Sequence, residues 1–198
     1  MALLRCDFFA ETLGLSTSMT VILPQATSAQ IGMAGAAGAE DPPTLYLLHG
    51  LSDDDTIWSR RTSVERYVAP LGLAVVMPQV HRSYYTDEVH GNRYWTFLSE
   101  ELPAVVDRFF RLSRRREDTF VAGLSMGGYG ALKWALRDPD RFAAAASLSG
   151  VLNLARRHTG GGPLDRVFGP GPVAGTSEDL LALLDPATAH PSTSVGDG

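Results

Sequence analysis

Between a short apolar run, Thr119 to Ala122, and a strongly helical stretch, Met126 to Leu136, the chain reads Gly123-Leu124-Ser125-Met126-Gly127. A strand that turns into a helix within so few residues leaves almost no room at the turn. Side chains at Gly123 and Gly127 would collide with the neighbouring strand and helix, so both positions must be tiny. Gly128 and Gly130 extend the small face and let the helix approach the sheet closely. The residue at the apex is forced into a strained backbone conformation, with its side chain projecting above the sheet. The G-x-S-x-G pattern is short and recurs by chance, but the strand before it and the helix after it are the setting of a nucleophile elbow. Ser125 is therefore expected to be a nucleophile, the alternative being a glycine-rich turn with an incidental serine.

The rest of the chain agrees with a sheet able to carry such a turn. Leu4 to Thr12 and Ser18 to Leu23 are short β-leaning segments that read as an antiparallel pair at a sheet edge. Gln25 to Pro43, rich in Ala, Gly and Ser, reads as a loop. Thr44 to Leu48, Leu73 to Met77, Thr119 to Ala122 and Ala143 to Leu148 are continuous apolar runs, the pattern of strands buried on both faces. Helical stretches fall between them at Ser63 to Ala69, Thr96 to Phe110 and Met126 to Leu136. In the second, Leu98, Leu102, Val105 and Phe109 form one apolar face. Pro103 there demands a kink, or a fresh helix with proline in its first turn. Strands alternating with helices imply parallel pairing. The expected fold is an α/β-hydrolase sheet, mostly parallel with an N-terminal antiparallel edge, residues 1–198 forming one domain. After Gly150 only short helices are expected, at Leu152 to Arg157, Leu164 to Phe168 and Ser177 to Leu184, with Gly- and Pro-rich loops between.

Composition removes several function classes. The 198 residues carry a net charge of −5 with acids and bases interspersed, so no basic face is expected for nucleic acid. Arg114-Arg115-Arg116 runs straight into Glu117 and Asp118 and reads as a solvated turn before a strand. The one cysteine, Cys6, permits no internal disulfide and no cysteine zinc cluster. It sits in a strand-like segment as a small hydrophobe. No signal peptide is expected at Met1 to Arg5 and no apolar run reaches membrane-spanning length, so a soluble cytoplasmic protein without membrane partners is expected.

An oxyanion formed at Ser125 needs hydrogen-bond donors. The Met126 backbone N–H, at the start of the following helix, is one candidate. His49-Gly50-Leu51 ends the first buried strand, beside which the elbow emerges in a parallel sheet, and the Leu51 N–H is the second candidate. A plain strand-ending turn is the alternative for His49-Gly50.

A set of motifs then occurs in order. They are Leu47-Leu48-His49-Gly50-Leu51, Trp58, Val76-Met77-Pro78, Tyr85-Thr86-Asp87 with Gly91, Glu101-Leu102-Pro103, Ala122 to Ala131, and Ser147-Leu148-Ser149-Gly150. Over about residues 4 to 155 the chain resembles the esterase D family of α/β-hydrolases, most closely its tributyrin-esterase-like branch. S-formylglutathione hydrolases and the antigen 85 mycolyltransferases are more distant relatives. The resemblance implies a carboxylesterase acting on short acyl esters, without metal or cofactor. It implies that Ser125 attacks and that the Leu51 and Met126 amides hold the oxyanion. Residues Tyr84 to Asp87 would shape a pocket at the mouth. Trp58, Tyr85 and Trp95 serve either packing or substrate contact.

A serine nucleophile needs a base, and the base an acid that fixes its tautomer. In this fold the chain order is Ser, then Asp or Glu, then His. The family's strands for that acid and base are not visible in the sequence, which reads as C-terminally truncated relative to the family. His158, beside Arg156 and Arg157, is expected at the surface. Asp185 and His190 form the one local acid and base pair after Ser125. His81 and His90 lie on a loop facing the site and are possible substitutes, and His49 belongs to the oxyanion turn. Activity is accordingly expected to be impaired. An acyltransferase of the same fold and a catalytically inactive binding module are the alternatives. A sheet ending after Leu148 would expose a strand edge, a template for homo-oligomers.

Overall fold

The computed structural model describes residues 1–38 and 40–184. Its six strands among these residues are β1 Ala2–Ala10, β2 Leu15–Leu23, β3 Thr44–Leu48, β4 Ala74–Pro78, β5 Thr119–Leu124 and β6 Ala144–Leu148. They lie in the order β1-β2-β4-β3-β5-β6. β1 pairs antiparallel with β2, and β2 antiparallel with β4. β4, β3, β5 and β6 are mutually parallel. The expected sheet, mostly parallel with an antiparallel N-terminal edge, is the one observed.

Helices cover the two faces because alternate strand residues point to opposite sides. On one face α1 Ile57–Arg61 and α2 Val64–Val68 pack over Ile22, Leu47, Val75 and Met77. The larger core lies on the other face, where Tyr46, Leu48, Val76 and Val121 meet α4 Leu102–Phe109 and α5 Met126–Arg137. Trp134 of α5 sits fully buried between Tyr46 and Phe142, with ring centroids 5.1 and 5.0 Å away.

The proline problem in the long helical stretch is solved by a wide turn. A short helix, α3 Tyr94–Thr96, runs into a π-type turn, Phe97–Glu101, in which the Leu102 N–H reaches back five residues to Phe97 O. α4 then starts at Leu102, with Pro103 in its first turn where a missing N–H costs nothing. The extra residue shifts the apolar phase. Leu98, Leu102 and Val106 are buried, whereas Phe109 is half exposed.

One strand departs from expectation. Ala143 to Leu148 reads as buried on both faces, yet β6 alternates between exposed and half-buried residues. Among the described residues β6 pairs only with β5, and Leu124 and Leu148 at the ends of these two strands are 39% and 46% exposed. Beyond β6 the short helices α6 Leu154–Arg157, α7 Asp165–Phe168 and α8 Leu180–Leu183 follow. No helix among the described residues is long and apolar enough to cross a membrane.

Candidate functional site

The chain runs from β3 to β4 on one side and then crosses back to β5 on the other, so strand order reverses at β3. Open α/β sheets bind ligands at such a reversal, beyond the carboxyl ends of the strands. Here those ends are Gly50-Leu51 and Ser125, and Leu48 pairs with Gly123 across them.

Ser125 has φ +56° and ψ −112°, a strained conformation for a residue with a side chain. Packing holds it there. A Cβ on Gly123 would lie 2.3 Å from the Gly127 carbonyl, and one on Gly127 would lie 2.3 Å from Leu48 O. A side chain at Gly123 would push α5 away from β5, and one at Gly127 would push it away from β3. The Ser125 N–H donates to Leu148 O at 2.9 Å, and its carbonyl accepts from Tyr129 N–H at 3.1 Å. The backbone is therefore engaged, while the hydroxyl is partly exposed and has no hydrogen-bond partner among the described residues.

Two backbone amides, one at the start of α5 and one in the turn after β3, have no partner among the described residues. Met126 opens α5, so its N–H has no intrahelical acceptor. The Leu51 N–H likewise makes no hydrogen bond to the described residues. Its direction is set by its own peptide plane, because Gly50 O points the opposite way and is pinned. His49 Nδ1 lies 2.7 Å from Gly50 O, and Asp53 N–H donates to the same oxygen at 3.2 Å. Val80 N–H donates to His49 Nε2 at 3.2 Å, so Nε2 is the acceptor and Nδ1 carries the proton. Burial also pushes the His49 pKa below its ordinary value. His49 is thus a neutral ring with both nitrogens occupied, unsuited to act as a base for Ser125. The loop beyond is tied down by Asp55, a buried carboxylate that accepts from Ser18 Oγ at 2.9 Å and Thr20 Oγ1 at 2.7 Å on β2.

Two cavities flank the Gly50-Leu51 turn. A groove of about 1100 Å³ opens beside Leu51 and is lined by His81, Arg82, Tyr84, Tyr94, Arg157 and Arg166 among others. A smaller cavity of about 260 Å³ lies between Gly50 and Leu124, against Ile57, Trp58 and Thr62. Asp53 borders both.

The aromatics expected at the mouth divide between these roles. Tyr84 lines the groove, while Tyr85 is fully buried. Trp58 lines the small cavity and donates to Leu48 O at 3.3 Å. Trp95 packs under the Arg137 guanidinium, 4.1 Å from its ring centroid.

Of the remaining histidines, His81 lines the groove and His90 is exposed outside it. His158 corrects the surface expectation. It is 2% exposed, with Nε2 donating to Gly169 O at 2.9 Å and its ring 5.5 Å from that of Phe168. The end of α7, Phe168 and Gly169, folds back against the ring, a closure that its arginine neighbours do not announce. Asp185 and His190 lie outside the described residues. No group of three or more His, Cys, Asp or Glu among the described residues is placed to hold a metal.

Sequence reasoning missed a buried ion pair beneath the site. Lys133 of α5 is fully buried and donates to Glu178 Oε2 at 2.6 Å, Thr86 Oγ1 at 2.7 Å and Tyr85 O at 3.0 Å. Burial lowers its pKa to about 8 against the opposing pull of Glu178. Burial alone would raise the Glu178 carboxyl. The Lys133 charge and hydrogen bonds from Lys133, Tyr129 and Thr86 together hold it below its usual value. A lysine one helical turn beyond Tyr129, on the face that carries the glycines, was the available signal.

The profile of the Esterase family matches residues 11–188. An acetyl esterase from Caldicellulosiruptor saccharolyticus is 29% identical over 93% of this chain and 73% of its own length. The substrate-bound structure of FphF, a fluorophosphonate-binding serine hydrolase from Staphylococcus aureus, superposes with a TM-score of 0.83 at 37% identity, covering 95% of this chain and 74% of that one. The apoenzyme of an S-formylglutathione hydrolase from the same organism gives 0.78, with the same identity and coverage.

Proposed function

The chain belongs to the Esterase family and is a serine carboxylic ester hydrolase, and we propose that within it Ser125 attacks short-chain acyl esters. The observation that carries this reading is the Ser125 turn, strained at φ +56° with its hydroxyl free, together with the amides at the start of α5 and in the turn after β3 that have no partner among the described residues. Ser125 Oγ adds to the ester carbonyl, whose oxygen becomes an oxyanion held by the Met126 and Leu51 N–H groups. Collapse expels the alkoxide, which takes up the proton lost by Ser125 and departs as the alcohol, leaving an acyl-serine that water then cleaves. The small cavity beside Leu124 and Trp58 receives the acyl group. At about 260 Å³ it falls below the roughly 300–1,000 Å³ of pockets for drug-sized ligands, which favours short chains. The larger, more polar groove takes the alcohol portion.

The proton of Ser125 needs an acceptor. Among the described residues none of His49, His81, His90 and His158 is hydrogen-bonded to its hydroxyl, and His190 lies outside them. A serine with oxyanion donors but no base retains roughly 10³–10⁴-fold acceleration over water.

Fluorophosphonate labelling tests the assignment: the wild-type chain is labelled at Ser125 and Ser125→Ala is not. Equal labelling of both proteins sinks it. Turnover of p-nitrophenyl acetate at only the residual level is expected. Turnover at a rate normal for such esterases, abolished by His190→Ala, would instead identify His190 as the base.

A further inference from the structure

We propose that Tyr85 is a positioning residue for the oxyanion site, aiming the Leu51 amide from beneath, and that Lys133 anchors it. The inference rests on the reading of Leu51 as an oxyanion donor.

The Leu51 N–H can be aimed only by fixing the two peptides before it. His49 and Asp53 fix the Gly50 carbonyl. The preceding carbonyl, His49 O, is held by the Tyr85 hydroxyl at 2.8 Å, across 36 residues of chain. Burial keeps the Tyr85 phenol well above its ordinary pKa, so it stays a donor. Its ring has no freedom to drift, because a Cβ on Gly130 of α5 would come within 2.5 Å of it.

The backbone of Tyr85 is as constrained as its ring. Tyr84 and Tyr85 both adopt positive φ, +53° and +55°, a region that side-chain-bearing residues rarely enter. Tyr85 N–H donates to Ser83 Oγ at 3.1 Å, and Tyr85 O accepts from Lys133 Nζ at 3.0 Å. Lys133 lies two turns along the helix that begins at Met126. One helix thus supplies the first oxyanion amide at its start and, through Lys133 and Tyr85, fixes the second. The spacing between the two donors is built into α5 rather than left to a loop.

The test resolves fluorophosphonate inactivation of Ser125 into KI and kinact, which serves even where turnover is slow. Deleting an oxyanion donor outright costs about 10²–10³ in kcat. Tyr85→Phe leaves the donor present but loose, so roughly a tenfold fall in kinact is expected, with KI within twofold of wild type. Affinity for a trifluoromethyl ketone, which forms an anionic tetrahedral adduct, falls by the same factor. Gly130→Ala, which displaces the ring without removing the hydroxyl, gives the same signature and decides the matter should Tyr85→Phe fail to fold. Tyr46→Phe removes another buried hydroxyl, in the core against Trp134, and leaves kinact unchanged. Folded Tyr85→Phe and Gly130→Ala proteins that label at the wild-type kinact overturn the inference, as does a fall confined to KI. Absence of labelling in the wild type overturns the reading of Ser125 itself, a distinguishable result.

Discussion

Replacing Lys133 with Met breaks a buried ion pair while preserving most of the volume. The Lys133 side chain is 0% exposed and that of Glu178 16%, so solvent screens the pair little. Removing one partner of such a pair costs about 3–5 kcal/mol, because the other charge is left uncompensated. Glu178 would still accept from Tyr129 OH at 2.7 Å and Thr86 Oγ1 at 2.8 Å, and Arg137 lies 3.8 Å away. Those contacts place Lys133→Met at the lower end, about 3 kcal/mol. For a chain of this size that is a fall in Tm of roughly 6–12 °C, read by circular dichroism. The double variant Lys133→Met/Glu178→Leu separates charge from packing. Burial pulls the Lys133 amine down to about 8 despite its partner, so pairing does not fully offset desolvation. Thr86 Oγ1 keeps a bond to Tyr84 O, and Tyr129 OH keeps one to Glu178 O. Removing both charges therefore costs less than removing one, about 1–2 kcal/mol. A single variant within 0.5 kcal/mol of wild type, as an order-of-magnitude threshold, or a double variant less stable than the single one, refutes this reasoning.

Two further outcomes follow from the geometry. Gly127→Ala places a methyl 2.3 Å from the Leu48 carbonyl oxygen, a contact with backbone that no rotamer relieves. It is expected to lose more than about 3 kcal/mol in urea denaturation and to abolish Ser125 labelling, and a stable, labelled variant would contradict it. The lowered pKa of His49 means that between the unfolded value near 6.5 and its folded value the unfolded chain binds the extra proton. Stability from this residue is complete above pH 6.5 and declines on acidification by up to about 1.4 kcal/mol per pH unit. The difference between wild type and His49→Asn, followed by urea midpoints from pH 7.5 to 4.5, should therefore shrink toward acid. A difference independent of pH would show that His49 gains its proton as readily folded as unfolded.

Much of this protein is legible along the chain because its signals are local. The apolar runs at Thr44 to Leu48 and Thr119 to Ala122 mark strands at the centre of the sheet, where both faces are covered. The glycines at 123 and 127 announce a close approach whatever surrounds them, and a Cβ added at either would lie 2.3 Å from backbone. Pro103 signals an interruption, though not that a π-type turn would absorb it. Everything that depends on which distant segments meet was decided by the tertiary structure. The same kind of apolar run that is buried in β3 is half exposed in β6, because burial belongs to the neighbours and not to the run. His158 reads as a surface residue beside two arginines and is buried where the end of α7 folds back against it eleven residues later. Lys133, Tyr85 and Glu178 carry no shared pattern. They become one network only when α5, the exit of β4 and the 176–179 turn are packed together, excluding the water that would otherwise have solvated each charge. Sequence determined that Ser125 would stand on a sharp turn, since the clash of Gly123 with the Gly127 backbone acts over four residues. Only the packed structure decided how the His49-Gly50-Leu51 turn is held, because that support reaches across 36 and 48 residues of chain.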